Sequence, residues 1–363
     1  MVIGAVAGCV SEPPVADLQK SANPTWSGTM RGLQENLSAI EEYVFDPKKF
    51  NDPANREFLG KHIQKLSKES TNLNHNPTLM HRDPTIRFVA SKFGSDLQRA
   101  HESFEEGKIP FARYQLLKVT SSCVQCHTRM QQGPEIHWNK SEAFLKTIPP
   151  SNQVEFLIAS RRFDQAYQVL EKNLVKETSG LNILDLENLA SLGLMVTVQY
   201  QNSSKNSLKL IDAIQNNAGI SPAFKKQAQD WRYSVIKWQG EKKKASSMLE
   251  WRRIFENRKN QVDAMRVIPG VLELISVGRD NQDAGEGLLL LGESYEVLNE
   301  ILPMDLHENY YEACIQSSPH TKTAKKCYSK LLSSVTVGYT GSSGTRVPVD
   351  VEVWLEKLRK SAE

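Results

Sequence analysis

Residues 122–130 read Ser-Cys-Val-Gln-Cys-His-Thr-Arg-Met. Cys123, Cys126 and His127 form a C-x-x-C-H pattern. At this spacing two thiols add across the two vinyl groups of one haem, and the adjacent imidazole is offered to its iron. Random placement of five cysteines and eight histidines in 363 residues would give the pattern about 0.0015 times, so chance does not compete with this reading. A structural zinc site wants a second ligand pair at close spacing. The nearest other cysteine is Cys9, 114 residues before Cys123. A thioredoxin-like dithiol sits at a helix N-terminus after a strand, whereas this pair comes late in a helical pattern from Phe111 to Met130.

That chemistry needs elements to carry it, and four helical stripes are legible before residue 135. The first holds Trp26, Met30, Leu33, Leu37, Ile40 and Val44. The second holds Leu59, Ile63, Leu66 and Leu73, interrupted by Ser70. The third holds Ile86, Val89, Phe93, Leu97, Ala100 and Phe104, with Asp83 as cap and Pro84 in the first turn. The fourth holds Leu116, Thr120, Cys123, His127 and Met130. Asn51-Asp52-Pro53, the stretch from Asn72 to Pro84, and Gly107 separate them. Regular stripes with short connections predict an all-α, antiparallel four-helix bundle over residues 24–135.

These residues give the segment 24–132, about 30% of the chain, a resemblance to the cytochrome c′ family and its Met-ligated relatives. The shared features are the helix lengths, the Phe50-Asn51-Asp52 turn and the terminal C-x-x-C-H. The resemblance implies one covalent haem c, held by Cys123 and Cys126, with His127 as proximal iron ligand. Counting back from Phe50 places Met30 at the family's distal-ligand position. In such a bundle the end of the fourth helix lies beside the start of the first and the loop between the second and third. His81, His75 and Met80 are therefore alternatives to Met30, as is an open or water-bound iron. Met130 lies one turn past His127, on the proximal side. His62 and His101 flank the inward stripes and read as structural.

Pro149-Pro150 marks a boundary, with residues 136–150 as a connector. Beyond it, 151–363 stays helical. Ser160 to Leu170 resembles the turn and second helix of a tetratricopeptide repeat, with Ala166 at the crossing and Phe163 as a plug. Leu288 to Tyr295 resembles a first helix of such a repeat, with Gly292 at the small position. Asn309–Cys314 and Thr321–Val335 read as another helix pair. The 34-residue period is not regular, so the expectation is a degenerate, α-solenoid-like helical-repeat domain with a concave face for a protein partner. Cys314 and Cys327 flank the loop Ser317–His320 and are candidates for a disulfide. Gly338–Thr345 resembles a phosphate loop but lacks its lysine and a preceding strand, which leaves a flexible surface connection. Lys242–Lys244 reads as a solvated face.

Composition sets the remaining bounds. Charged residues make up 24% and hydrophobic residues 39%, enough to build cores. A net charge of +3 gives no basic footprint for nucleic acid. No apolar run reaches the roughly 18 residues of a membrane span. Val6-Ala7-Gly8-Cys9 resembles a bacterial lipobox, in which Cys9 would carry lipid. Residues 1–23 then read as a signal remnant and linker. The combined expectation is an exported monohaem c-type cytochrome, lipid-anchored in the bacterial periplasm. It would carry single electrons, with a membrane or periplasmic redox protein, or an envelope complex, as its partner. A haem-based gas-binding or sensor protein is the alternative. An enzyme is not expected, because a single C-x-x-C-H does not meet the two-haem need of the di-haem peroxidases.

Overall fold

A computed structural model describes residues 26–75, 86–127, 142–175, 180–241, 245–277, 281–302, 306–342 and 344–363. The described chain is all-helical apart from one small hairpin. The first half contains α1 (Trp26–Phe45), α2 (Pro47–Asn51), α3 (Arg56–Ser70), α4 (Ile86–Glu105) and α5 (Ile109–His127). Short 3-10 turns occupy Pro53–Asn55 and Thr71–His75. Local chemistry sets these boundaries. The Asp46 carboxylate accepts the backbone N–H groups of Lys48 and Lys49, starting α2. Gly107 takes a φ of +77°, and the Lys108 N–H donates back to the Ser103 carbonyl at 2.8 Å. This folds α5 back along α4, because only glycine adopts that backbone without strain.

The described side chains of the first three expected stripes lie on buried faces, with Met30 and Leu37 partly buried, and of the fourth Leu116 does. Ile40, Leu59, Ile63, Leu66, Leu97, Ala100, Phe104 and Leu116 are almost wholly excluded from solvent and belong to one apolar cluster. Each large side chain so buried contributes ~1.5–3 kcal/mol. Ser70, the break in the second stripe, is fully buried and satisfied by donating to the Ser67 carbonyl at 2.7 Å. The expected helix start at Asp83-Pro84 lies outside the described residues.

Close contacts give the register. Gly94 lies against Ser70, and Gly60 lies against Phe104, so α3 and α4 run antiparallel. Asn36 meets His62 and Gly32 meets Glu69, so α1 and α3 do too. Arg113 on α5 donates to the Val44 carbonyl on α1 at 2.7 Å.

The second half runs through α6 (Glu142–Leu145), α7 (Pro150–Ala159), α8 (Phe163–Val175), α9 (Ile183–Met195), a π-helical turn (Val196–Tyr200), α10 (Ser204–Asn216) and α11 (Pro222–Gln239). It continues with α12 (Met248–Arg258), α13 (Gln261–Val277), α14 (Asn281–Leu298), α15 (His307–Ser317), α16 (Lys322–Gly338) and α17 (Val349–Ala362). Serine and threonine caps open many of them, including a full capping box between Ser247 and Glu250. A second, larger apolar cluster joins these helices, and Val89 of α4 belongs to it. Helix α5 packs on α7. Ala166 is fully buried, and Phe163 stacks on Tyr200 at 4.1 Å between ring centres. A β-carbon on Gly292 would come within 2.4 Å of the Tyr311 ring, so α14 and α15 approach where only glycine fits.

Gly338–Thr345 differs from the expected flexible connection. Its described residues form an antiparallel hairpin of two-residue strands, β1 (Thr340–Gly341) and β2 (Gly344–Thr345), with Thr340 opposite Thr345. Gly344 at φ +100° supplies the reversal. Lys242–Lys244 lies outside the described residues.

Asp263, near the start of α13, is a buried carboxyl held away from its ordinary titration range. It is 2% exposed. Ser234 Oγ donates to its carboxylate at 3.1 Å. Burial nonetheless pushes the carboxyl from an ordinary value of 3.8 up to about 6, against smaller pulls from Ser234 and Arg266. Folding therefore favours the protonated form. The stabilisation is complete below about pH 4 and is lost as pH rises through about 6. Asp263→Asn should remove this dependence. Urea unfolding should show a gain of up to about 3 kcal/mol at pH 7 and no gain below about pH 4.

Candidate functional site

Helix α5 begins with Ile109-Pro110, where a proline in the first turn has no N–H to waste. It runs to His127, and its last two turns carry Cys123, Cys126 and His127. The spacing of three and four residues from Cys123 puts positions 126 and 127 within one turn of it along the helix. Leu116 and Val119 anchor the preceding turns in the core, and Ser122 is buried beside the motif.

The Arg113–Val44 bond indexes α5 against α1. Equal numbers of residues separate Val44 from Met30 along α1 and Arg113 from His127 along α5. The two helices run antiparallel, so Met30 and His127 lie toward the same end of the pair. Met30 is half-buried and packs against the apolar cluster. Of the alternatives to Met30, His75 closes the 3-10 turn after α3, which packs on α1 and α4 at that same end. Met80 and His81 lie outside the described residues, as do Arg129, Met130 and Cys9. Two thiols and an adjacent imidazole are the groups that would hold a covalent haem, with a thioether such as Met30's able to serve as a further iron ligand.

A second feature at this end was not read from the sequence. Helix α1 carries a polar row, Thr29, Gly32 and Asn36, directed at α3. Asn36 Nδ2 donates to the Gly32 carbonyl at 2.8 Å and to Glu69 Oε1 at 3.5 Å. Asn36 Oδ1 therefore faces His62 Nδ1, 2.9 Å away, as the acceptor. Burial, then the charges of Lys65 and Lys61, hold the His62 imidazole below its usual range, so it is neutral near pH 7. The row's spacing of three and four was visible in the chain. The apolar stripe one residue along carried the stronger signal.

His101, the other flanking histidine, lines an open cleft of about 430 Å³ between α3 and α4, together with Arg56, Lys61 and Glu105. A second open cleft of about 520 Å³ lies by the start of α13, near Glu187, Asp230, Lys259 and Glu300. Among the described residues no group of three His, Cys, Asp or Glu side chains is arranged to hold a metal ion. Among them also, no helix is long and apolar enough to cross a membrane.

Far from this end, Cys314 on α15 and Cys327 on α16 are joined as a disulfide, with Cα atoms 6.3 Å apart. Both residues are fully buried. No family model, curated protein or solved structure matches the chain.

The disulfide spans a sequence separation of 13. Closing a loop of that size is worth about 3 kcal/mol. The double substitution Cys314→Ser, Cys327→Ser should lower the urea midpoint by the equivalent of ~2–4 kcal/mol.

Proposed function

We propose that this chain is an exported monohaem c-type cytochrome that carries single electrons. Residues 24–135 form an antiparallel four-helix bundle of the cytochrome c′ kind, and residues 151–363 form a helical-repeat, solenoid-like partner for docking. The observation that carries the reading is the Cys123-x-x-Cys126-His127 sequence in the last turns of a core-packed helix, toward the same end as Met30.

When bound, haem c supplies one-electron iron chemistry. Cys123 and Cys126 tether it to α5 through thioethers. His127 would offer an imidazole to the iron from the same helix. Met30 on α1 would supply a thioether, which raises the reduction potential relative to a second imidazole. The apolar faces of Leu33, Phe93 and Val119 exclude water from this end, which lowers the cost of reorganising solvent when charge changes.

Export supports the rest of the reading. Haem attachment through thioethers and a structural disulfide both belong to compartments outside the reducing cytoplasm. A lipid on Cys9 would hold the protein at the periplasmic surface of a membrane. The α7–α17 stack would then meet the redox partner or envelope complex.

Haem-based gas sensing is the second reading, favoured by the buried, unpartnered Thr29 hydroxyl next to Met30. An absorption spectrum of the matured protein separates the two. A sharp low-spin α band on reduction, unchanged by carbon monoxide, is expected for electron transfer. A high-spin spectrum with rapid carbon monoxide binding would transfer the assignment to sensing. Haem that extracts into acidified acetone would overturn both. Met30→Ala should convert the low-spin centre to high-spin; an unchanged spectrum would move the sixth ligand to His81, His75 or Met80.

A further inference from the structure

The last two helices, α16 and α17, present to solvent a surface whose two ends differ in kind. Helix α16 carries four lysines and no acidic residue, and it buries Ala324, Cys327, Leu331 and Val335. At about 100° per residue, Lys322, Lys325 and Lys326 fall on the side opposite that buried face, and all three are exposed. Of the four lysines only Lys330 is in an ion pair, with Glu296 at 3.0 Å. Further along α16 the exposed side turns apolar. Leu332 and Tyr339 are exposed there, and Val337 is 71% exposed.

Helix α17 has the same two characters in reverse order. Val349 is 75% exposed and Val353 65% exposed in its first two turns. Lys357 and Lys360 are exposed in its last two. Backbone bonds tie the helices at both ends. The His320 N–H, before the start of α16, donates to the Ser361 carbonyl at 2.9 Å, and the Arg346 N–H donates to the Tyr339 carbonyl at 3.1 Å. The helices are therefore antiparallel, and like ends coincide. Lysines gather at one end of the pair and apolar side chains at the other. The apolar end is open: both strands of the Thr340–Thr345 hairpin are exposed, and a β-carbon on Gly338 or Gly341 would meet nothing within 4 Å.

The last member of a helical stack needs a polar outer face if water alone is to cover it. Val349 and Val353 depart from that rule, since they lie one turn apart on one side of α17. Asp350 and Glu352 fall about 80° to either side of the valine line, at its rim. Glu356 and Glu363 are both held by Arg359. The acidic groups of α17 thus flank the apolar end or are already paired.

We propose that the outer face of α16 and α17 is a peripheral contact surface for an anionic phospholipid membrane. Lys322, Lys325 and Lys326 take the phosphate headgroups, and Val337, Tyr339, Val349 and Val353 enter the boundary between headgroups and acyl chains. Long lysine stems reach headgroups from a helix lying flat, and tyrosine and aliphatic side chains favour that boundary. A second copy fits poorly, because any two-fold pairing of this face sets lysines on lysines or lysines on valines. A protein partner must match both ends in register. A membrane supplies both chemistries at any rotation about its normal. The inference does not rest on the haem reading.

The test is co-sedimentation of the full chain with sucrose-loaded vesicles, using Cys9→Ser protein so that no acyl group contributes. One set of vesicles is phosphatidylcholine alone, the other an equal mixture of phosphatidylcholine and phosphatidylglycerol. Binding is expected to the mixed vesicles and should weaken as salt rises. Lys322→Gln, Lys325→Gln and Lys326→Gln together should lower the partition coefficient on the order of a hundredfold, at about fivefold per lysine. Val337→Asn with Val349→Asn should weaken binding and leave its salt dependence in place. Lys172→Gln, Lys205→Gln and Lys209→Gln remove the same charge from α8 and α10 and should bind nearly as the parent does. Circular dichroism reports whether each variant is folded. No binding to the mixed vesicles, or a loss in the α8 and α10 variant equal to that in the α16 variant, would overturn the inference. So would self-association of the parent, abolished by the valine substitutions, in the absence of vesicle binding; the face would then belong to a second copy.

Discussion

The contact between the Arg113 guanidinium and the Val44 carbonyl indexes α5 against α1, and the geometry of the candidate site depends on that register. A slip of one helical turn would move a side chain about 5.4 Å along the axis. That slip would displace Met30 relative to His127. Buried apolar stripes bring the helices together but tolerate sliding, since one leucine contact resembles the next. A directional bond to a carbonyl at a helix end narrows the sliding that remains. The turn at Gly107 and the cap at Asp46 act in the same direction by setting where α5 and α2 begin.

The α1–α3 interface shows a different balance. Most of its area follows the ordinary rule that apolar groups meet apolar groups. Along one row, the helices bury an amide, a hydroxyl and a carboxylate instead. Asn36 meets nearly all its hydrogen-bonding needs through Gly32, Glu69 and His62. Thr29 and one oxygen of Glu69 do not. An apolar row at the same positions would be more stable.

In the second half, stability is arranged through close approach and satisfied polar groups. Gly292 lets the Tyr311 ring lie against α14, and the Tyr311 hydroxyl donates to Glu296 at 2.5 Å. The Trp231 indole donates to Gln261 Oε1 at 2.7 Å, and Gln261 in turn donates to Glu300 at 2.6 Å. These ties are specific in direction, so the helices can stack without a regular sequence repeat. The Cys314–Cys327 disulfide adds a covalent tie between α15 and α16. Val89 of α4 lies in the apolar cluster of this half. The helices near the attachment motif therefore share packing with the stack.

The linear sequence was enough to determine the all-helical class and the apolar stripes of the first three helices, and it carries the C-x-x-C-H spacing of Cys123, Cys126 and His127 from which haem attachment is expected. Helical periodicity and covalent spacing are local properties, and a few adjacent residues express them fully. Met30 was legible as an inward-facing residue for the same reason. Its place toward the same end as His127 was not, because that depends on a bond between residues 44 and 113. The Thr29–Gly32–Asn36 row was present in the chain but carried no meaning by itself. A polar residue at helical spacing is ordinarily a solvated one, and only the approach of Glu69 and His62 from α3 buries it. The hairpin at Thr340–Thr345 was missed because two-residue strands have no period to detect. Tertiary structure alone decided which polar groups lose water, since that loss depends on what another helix brings against them.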